Sequence, residues 1–269
     1  LKPQSLEDVI AGISLFRPGP MEFIPKYIAG KNTADSVTYP TKELEPILSP
    51  TYGCIVYQEQ VMQIVRSLAG YSMGEADNIR RAMSKKKQYV IDAGREDFVH
   101  GNKEKNIDGC VNRHIDEKVA NEIYDSMTDF AKYAFNKSHA ACYAVVAYQT
   151  AWLKYYYPLE FMAALMTSVI DNPGKTSEYI MACKSMGIKI LPPDVNSGEA
   201  DFAVADNAIR YALTAIKGVG RNVIDNIAKE RELYGPYRNL EDFITRNMSK
   251  ELNKRVVESL IKAGALDGF

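Results

Sequence analysis

Apolar positions along the chain recur at helical spacing in short segments, each broken by proline or glycine. Leu6, Val9, Ile10 and Ile13 follow Ser5, a residue type whose hydroxyl satisfies free N–H groups at a helix start, and Arg17-Pro18-Gly19-Pro20 then forces a rigid turn. Gly30 to Pro50 is rich in Pro, Thr, Ser and Lys without sustained period and reads as an ordered loop crossing the surface. Tyr57, Val61, Ile64, Val65 and Leu68 share one face of a predicted helix that stops at Gly70, and a second helix is expected from about Gly74 to Ser84. Residues 88–108 are polar and carry no decisive period. Ile115 to Phe130 is helical again, with Val119, Ile123 and Met127 four residues apart.

The longest stripe begins where Ser138 can cap a helix and runs through Cys142, Val145, Val146, Gln149, Trp152, Leu153 and Tyr156 to Pro158. Phe161 to Ile170 predicts another apolar helix, and Asp171-Asn172-Pro173-Gly174 has the turn chemistry of a domain boundary. Beyond it, Ile188–Pro193 and Ile209–Leu213 are strand-like, while Asn222 to Glu230 and Lys250 to Ala263 are helical on either side of Gly235-Pro236. The expected fold is therefore mainly α: a helical domain over 1–171, then a segment over 172–269 with a small β element.

With 269 residues, 46% of them hydrophobic and 25% charged, the chain can bury a sizeable core in one or two domains. No apolar run approaches the roughly 20 residues of a membrane helix, and Leu1-Lys2-Pro3-Gln4-Ser5 lacks a signal core, so a cytoplasmic protein is the default expectation. Cys54, Cys110, Cys142 and Cys183 are far apart with only 3 His beside them, which points to buried thiols rather than zinc or disulfides. A net charge of -1 excludes a uniformly basic nucleic-acid binder but allows a local cationic face. A start without Met and an end at Gly268-Phe269 suggest a piece of a longer parent.

Three constellations could carry chemistry. Arg80-Arg81-Ala82-Met83-Ser84-Lys85-Lys86-Lys87 holds five cations in eight positions without an acid, a strip suited to phosphates; pairing of Asp77 with Arg80 or Arg81 at i+3 or i+4 is the competing use. Phe135-Asn136-Lys137-Ser138-His139 enters the long helix, where backbone N–H groups, a Lys and a hydroxyl can meet an anion or simply form a cap. Ala215-Ile216-Lys217-Gly218-Val219-Gly220-Arg221 has the shape of a helix-hairpin-helix loop, in which two glycines let the backbone approach a DNA phosphate without reading a base. Leu260 to Leu266 is either a second, poorer hairpin or a helix end. There is no Asp-x-Asp and no acidic cluster in a strand context, so neither catalytic nor metal-binding residues are assigned.

Read together and in order, Leu15-Phe16-Arg17-Pro18-Gly19-Pro20, Tyr57-Gln58-Glu59-Gln60-Val61-Met62, Ile79-Arg80-Arg81-Ala82-Met83 with Lys85-Lys86-Lys87, and Phe135 to His139 resemble the fingers of the C-family replicative polymerases, the alpha subunits of bacterial DNA polymerase III. Ile190-Leu191-Pro192-Pro193-Asp194-Val195-Asn196 and Ala215 to Gly220 resemble the helix-hairpin-helix segment that follows the fingers in that family. The resemblance implies a fingers domain over 1–171 and a hairpin segment over 172–269 of a DNA-directed DNA polymerase whose catalytic, Mg²⁺-binding aspartates lie in an upstream palm. It implies nucleotide contacts at Arg80, Arg81, Asn136, Lys137, Ser138 and His139, and DNA contacts at Lys85, Lys86, Lys87, Lys217, Gly218, Gly220 and Arg221. Partners implied for the parent are primer-template DNA, deoxynucleoside triphosphates, other replicase subunits and the sliding clamp. Ala134 departs from the glycine common at that position. A stand-alone, sequence-independent hairpin module would explain the C-terminal third but leaves Arg80 to Lys87 idle, and a helical scaffold would bind neither nucleotide nor DNA.

Overall fold

The structure, a computed structural model, describes residues 1–33, 37–131, 133–248 and 252–269. Helix α1 (Leu6–Leu15) starts as its sequence dictates, with the Ser5 hydroxyl accepting the Asp8 N–H at 3.2 Å. Helix α4 (Gln58–Ala69) is fixed at both ends. The Gln60 amide oxygen reaches back to accept the N–H groups of Val56 and Tyr57, and Gly70, at φ 78°, closes the last turn. Its apolar stripe Val61, Ile64, Val65 and Leu68 is wholly buried against α5 (Met73–Ser84), α6 (Gln88–His100) and α7 (Glu117–Ala131), which contribute Ile79, Met83, Phe98, Tyr124 and Met127 to one core.

Two sequence expectations change here. Residues 88–108 contain the 13-residue helix α6, whose period is hidden because Gly94 occupies a core position. A side chain there would collide with Ile79 and the Tyr124 hydroxyl, so only glycine lets α6 approach. The stretch expected as a surface loop includes the short helix α3 (Glu45–Leu48), and Leu44, Ile47 and Leu48 enter the same core.

A second cluster of the same unit joins α1 and α2 (Ile24–Asn32) to Tyr57 and to the start of α8 (Lys137–Tyr156). Within it the buried Asp8 carboxylate accepts from Lys31 Nζ at 2.7 Å, from the Gln4 N–H and from the Tyr27 hydroxyl. Burial would raise the Asp8 pKa, but the Lys31 and Gln4 hydrogen bonds outweigh it and hold the carboxyl below its ordinary value. Its contribution to stability is thus present above the usual carboxylate range and lost as pH falls through the folded value. Asp8→Ala should lower stability by about 3 kcal/mol and flatten the acid limb of urea unfolding below about pH 4. Unchanged midpoints and acid limb would contradict the pair's role.

The first compact unit spans Leu1–Gln149 and the second Thr150–Phe269, so the division falls inside α8 rather than at Asp171-Gly174. The reason is packing: α9 (Pro158–Ser168) places Met162 and Met166 in one cluster with Cys183 of α10 (Pro173–Ser185), Ile188 and Ile209. Strands β1 (Ile190–Leu191), β2 (Ala203–Ala205) and β3 (Ala208–Arg210) form a sheet of order β1-β3-β2, parallel between β1 and β3. Asp206 and Asn207, both at positive φ, make the tight β2–β3 turn. Helices α11 (Arg221–Tyr234), α12 (Leu240–Asn247) and α13 (Lys254–Lys262) surround a last cluster that includes Ile224, Phe243 and Leu260. The helix expected from Lys250 therefore begins at Lys254, and its first two expected positions lie outside the described residues.

Helix α8 corrects another expectation. Only Ala140 and Ala144 on it are buried, while Val145, Val146, Gln149, Trp152, Leu153 and Tyr156 are exposed, and so is Cys142. Small alanines at i, i+4 let the helix sit close to its neighbours, and the large apolar stripe turns to the surface instead. No described helix is long and apolar enough to cross a membrane.

Candidate functional site

The Ser72 hydroxyl caps α5, which then presents Asp77, Arg80 and Arg81 one turn apart. Arg80 donates from Nε and Nη2 to Asp77 Oδ1, at 3.0 and 2.5 Å, and Arg81 Nε meets Asp77 Oδ2 at 2.7 Å. The competing pairing read from the sequence is thus realised by both arginines at once. The hydrogen bond from Arg80, joined by the charges of both guanidinium groups, holds the Asp77 carboxyl below its ordinary pKa. Arg81 remains largely exposed. The cations do not form a single helix face: α5 ends at Ser84, Lys86 stands at φ 54°, and Lys87 leads into α6. Lys85, Lys86 and Lys87 are exposed at the negative end of α5, without an ion-pair partner among the described residues.

At the start of α8 the cap is Asn136, whose Oδ1 accepts the His139 N–H at 2.8 Å, and not Ser138. The anion position expected there is filled from within. Glu59, in the first turn of α4, accepts the Lys137 N–H through both carboxylate oxygens at 3.1 Å and the Asn136 amide at 3.0 Å. Lys137 Nζ reaches Glu7 at 3.0 Å and lies 5.3 Å from the Tyr57 ring centroid. His139 is exposed and stacks edge-on with Phe135 and beside Tyr143; Ser138 is exposed with no side-chain partner among the described residues.

Gln58 connects the two places. Its Oε1 accepts from Arg80 Nη1 at 3.0 Å, its Nε2 donates to the Ala134 carbonyl at 3.1 Å, and its N–H donates to the Phe135 carbonyl at 2.9 Å. Arg17 closes the arrangement by donating to the Tyr133 carbonyl at 2.7 Å with its guanidinium 4.3 Å from the Phe135 ring centroid. Four separated sequence strings thus meet in one unit, with the neighbours Gln58 and Glu59 between the arginines and the α8 entrance. Arg17, Gln58 and Glu59 were missing from the sequence-derived site, although each lies in a string that carried the resemblance.

In the second unit Ile216 and Val219 are buried beneath the hairpin and leave Lys217 and Gly218 exposed. Gly218 is the residue at positive φ, +85°, whereas Gly220 is extended and serves as the residue before α11, where no side chain makes a capping hydrogen bond. Only the first glycine is therefore required by backbone shape. Arg221 is paired with Asp201 and is not a free cation. Leu260 to Leu266 is a helix end: Gly264, at φ +74°, lets the Ala265 N–H return to the Leu260 carbonyl at 2.9 Å, and Ala265 and Leu266 are buried.

Comparison with known proteins defines the class. Residues 1–106 match the bacterial DNA polymerase III alpha subunit finger domain, and residues 187–269 match a helix-hairpin-helix motif. The whole chain is 48% identical to the DNA polymerase III subunit alpha of Thermus aquaticus and 47% identical to that of Borreliella burgdorferi, covering 22% and 23% of those proteins. For the Bacillus subtilis subunit the identity is 46%, again over the full chain and 23% of the relative. The chain belongs to the DNA polymerase III alpha subunit family and spans between a fifth and a quarter of the length of these relatives.

Proposed function

We propose that this chain is the part of a DNA-directed DNA polymerase that orients the incoming deoxynucleoside triphosphate and holds primer-template DNA during replication in the bacterial cytoplasm. The fingers role belongs to the first unit and the duplex-holding role to the second. The carrying observation is the convergence of Arg17, Gln58, Glu59, Arg80 and Lys137, which joins a guanidinium cluster to the entrance of α8 within one unit. Arg80 and Arg81 orient the triphosphate and offset its charge when it replaces Asp77 as their partner, and Lys137 with Asn136 approaches the nucleotide from α8. Ser138 and His139 border that entrance as exposed side chains. Lys85 to Lys87 and the hairpin residues Lys217, Gly218 and Gly220 contact DNA backbone, a sequence-independent task.

Magnesium would supply the phosphoryl-transfer chemistry of such an enzyme. Among the residues described, no group of three or more His, Cys, Asp or Glu side chains could hold a metal ion, and none is assigned to magnesium. Other replicase subunits and the sliding clamp are partners of the parent protein. Purified 269-residue chain, supplied with primed template, four deoxynucleotides and Mg²⁺ or Mn²⁺, should bind duplex yet incorporate no nucleotide. Robust template-directed extension would overturn this reading.

A further inference from the structure

Beside the hairpin lies a groove of about 730 Å³ whose lining includes Tyr211, Lys217, Gly218, Arg255, Ser259 and Lys262. Arg255, Ser259 and Lys262 follow one another on α13 at i, i+4 and i+7, so they share one helix face about 10 Å long. An adjacent face, with Val256 and Leu260, is buried in the core and fixes the rotation of the helix. The Ser259 hydroxyl donates to the Arg255 carbonyl at 3.0 Å, which folds this short side chain against its own helix. A Cβ placed on Gly218 would lie 3.6 Å from that oxygen, so the hairpin tip and the α13 face are direct neighbours.

What marks this groove is that three cations without an ion pair line it together. Arg221, Arg231, Arg246 and Lys254 are each ion-paired, to Asp201, Glu199, Glu230 and Glu258. Lys217, Arg255 and Lys262 are exposed, and no carboxylate among the described residues pairs with any of them. Three unpaired cations around one groove leave a local positive field on a chain whose net charge is -1.

We propose that the Arg255–Lys262 face of α13 is the second half of the hairpin's phosphate-binding site, so that neighbouring phosphates of one DNA strand are held between Lys217 with the Gly218 backbone on one side and Arg255 with Lys262 on the other. This rests on the reading that the hairpin binds DNA backbone. It adds two phosphate contacts that the glycine loop alone does not supply, and it requires no base readout.

The test uses a full-length polymerase subunit carrying this segment, without nucleotide or metal, and anisotropy titrations of two unrelated labelled duplexes over a range of salt. The double variant Arg255→Gln/Lys262→Gln should make the log–log salt dependence shallower by about 1.8 units, about 0.9 for each lost phosphate contact, equally for both duplexes. Lys254→Gln, on the neighbouring stripe, should leave the slope unchanged, and Arg255→Lys with Lys262 intact should retain it because the charge is kept. A wild-type slope in the double variant, with binding still weakened by Gly218→Val, removes α13 from the site and leaves the hairpin in it. Wild-type binding by Gly218→Val as well removes the hairpin reading and this inference with it.

Discussion

In a full-length subunit carrying this segment, Arg80→Ala should lower kcat/KM for nucleotide incorporation about 10- to 100-fold, the equivalent of roughly 1.5–3 kcal/mol for a charge-assisted hydrogen bond made to the triphosphate. Arg81→Ala should act in the same direction, since its guanidinium is the more exposed of the pair. Arg80 also touches Gln58 and Asp77, so a purely structural role has to be separated from a nucleotide role. Asp77→Asn separates them. It releases both arginines from their internal anion, and nucleotide affinity should then hold or rise. If Asp77→Asn lowers kcat/KM as much as Arg80→Ala does, and thermal stability falls in parallel, the cluster is a structural ion pair and the proposal fails.

Gly218→Val should weaken duplex binding more than tenfold at every salt concentration, because a β-branched residue at φ +85° carries strain of about 1–3 kcal/mol and distorts the loop that presents its N–H groups. Gly220→Val should cost less, through obstruction of the DNA alone and without backbone strain. Gly220 is extended at φ -89° and an added Cβ there meets nothing within 4 Å. Lys217→Ala keeps the loop shape and removes one ionic contact, so its loss should appear mainly at low salt, with the slope shallower by about 0.9. Filter-binding isotherms for the three variants on duplexes of unrelated sequence would decide the matter. Equal losses from the two glycine variants, or a preference for one duplex, would show that the hairpin does not grip backbone through Gly218.

Local signals in the sequence carried well where a residue's partner was close in the chain. Ser5 capping α1, the α4 stripe ending at Gly70 and the Asp77 pairings all follow from intervals of three or four residues. The closure of α8's entrance by Glu59 did not, because that carboxylate arrives from 78 positions away and no helical period connects the two. Helix α6 was hidden by a glycine needed for close packing, and β2, a run of Ala203-Val204-Ala205, is too short and too weakly apolar to announce itself. The second-unit glycines show a finer limit: Gly218 and Gly220 look alike as letters, and only their dihedral angles tell which one the turn requires.

Helix α8 carries the chain's single tryptophan on the face that its alanines leave outside the core. Trp152 is 41% exposed, with Tyr156 and Tyr157 ring centroids 4.8 and 5.7 Å away. Its fluorescence is therefore a one-residue optical gauge of that face. The emission of the isolated chain should lie toward the red, as for an indole in contact with water, and any protein surface that settles on α8 should shift it blue without an attached dye.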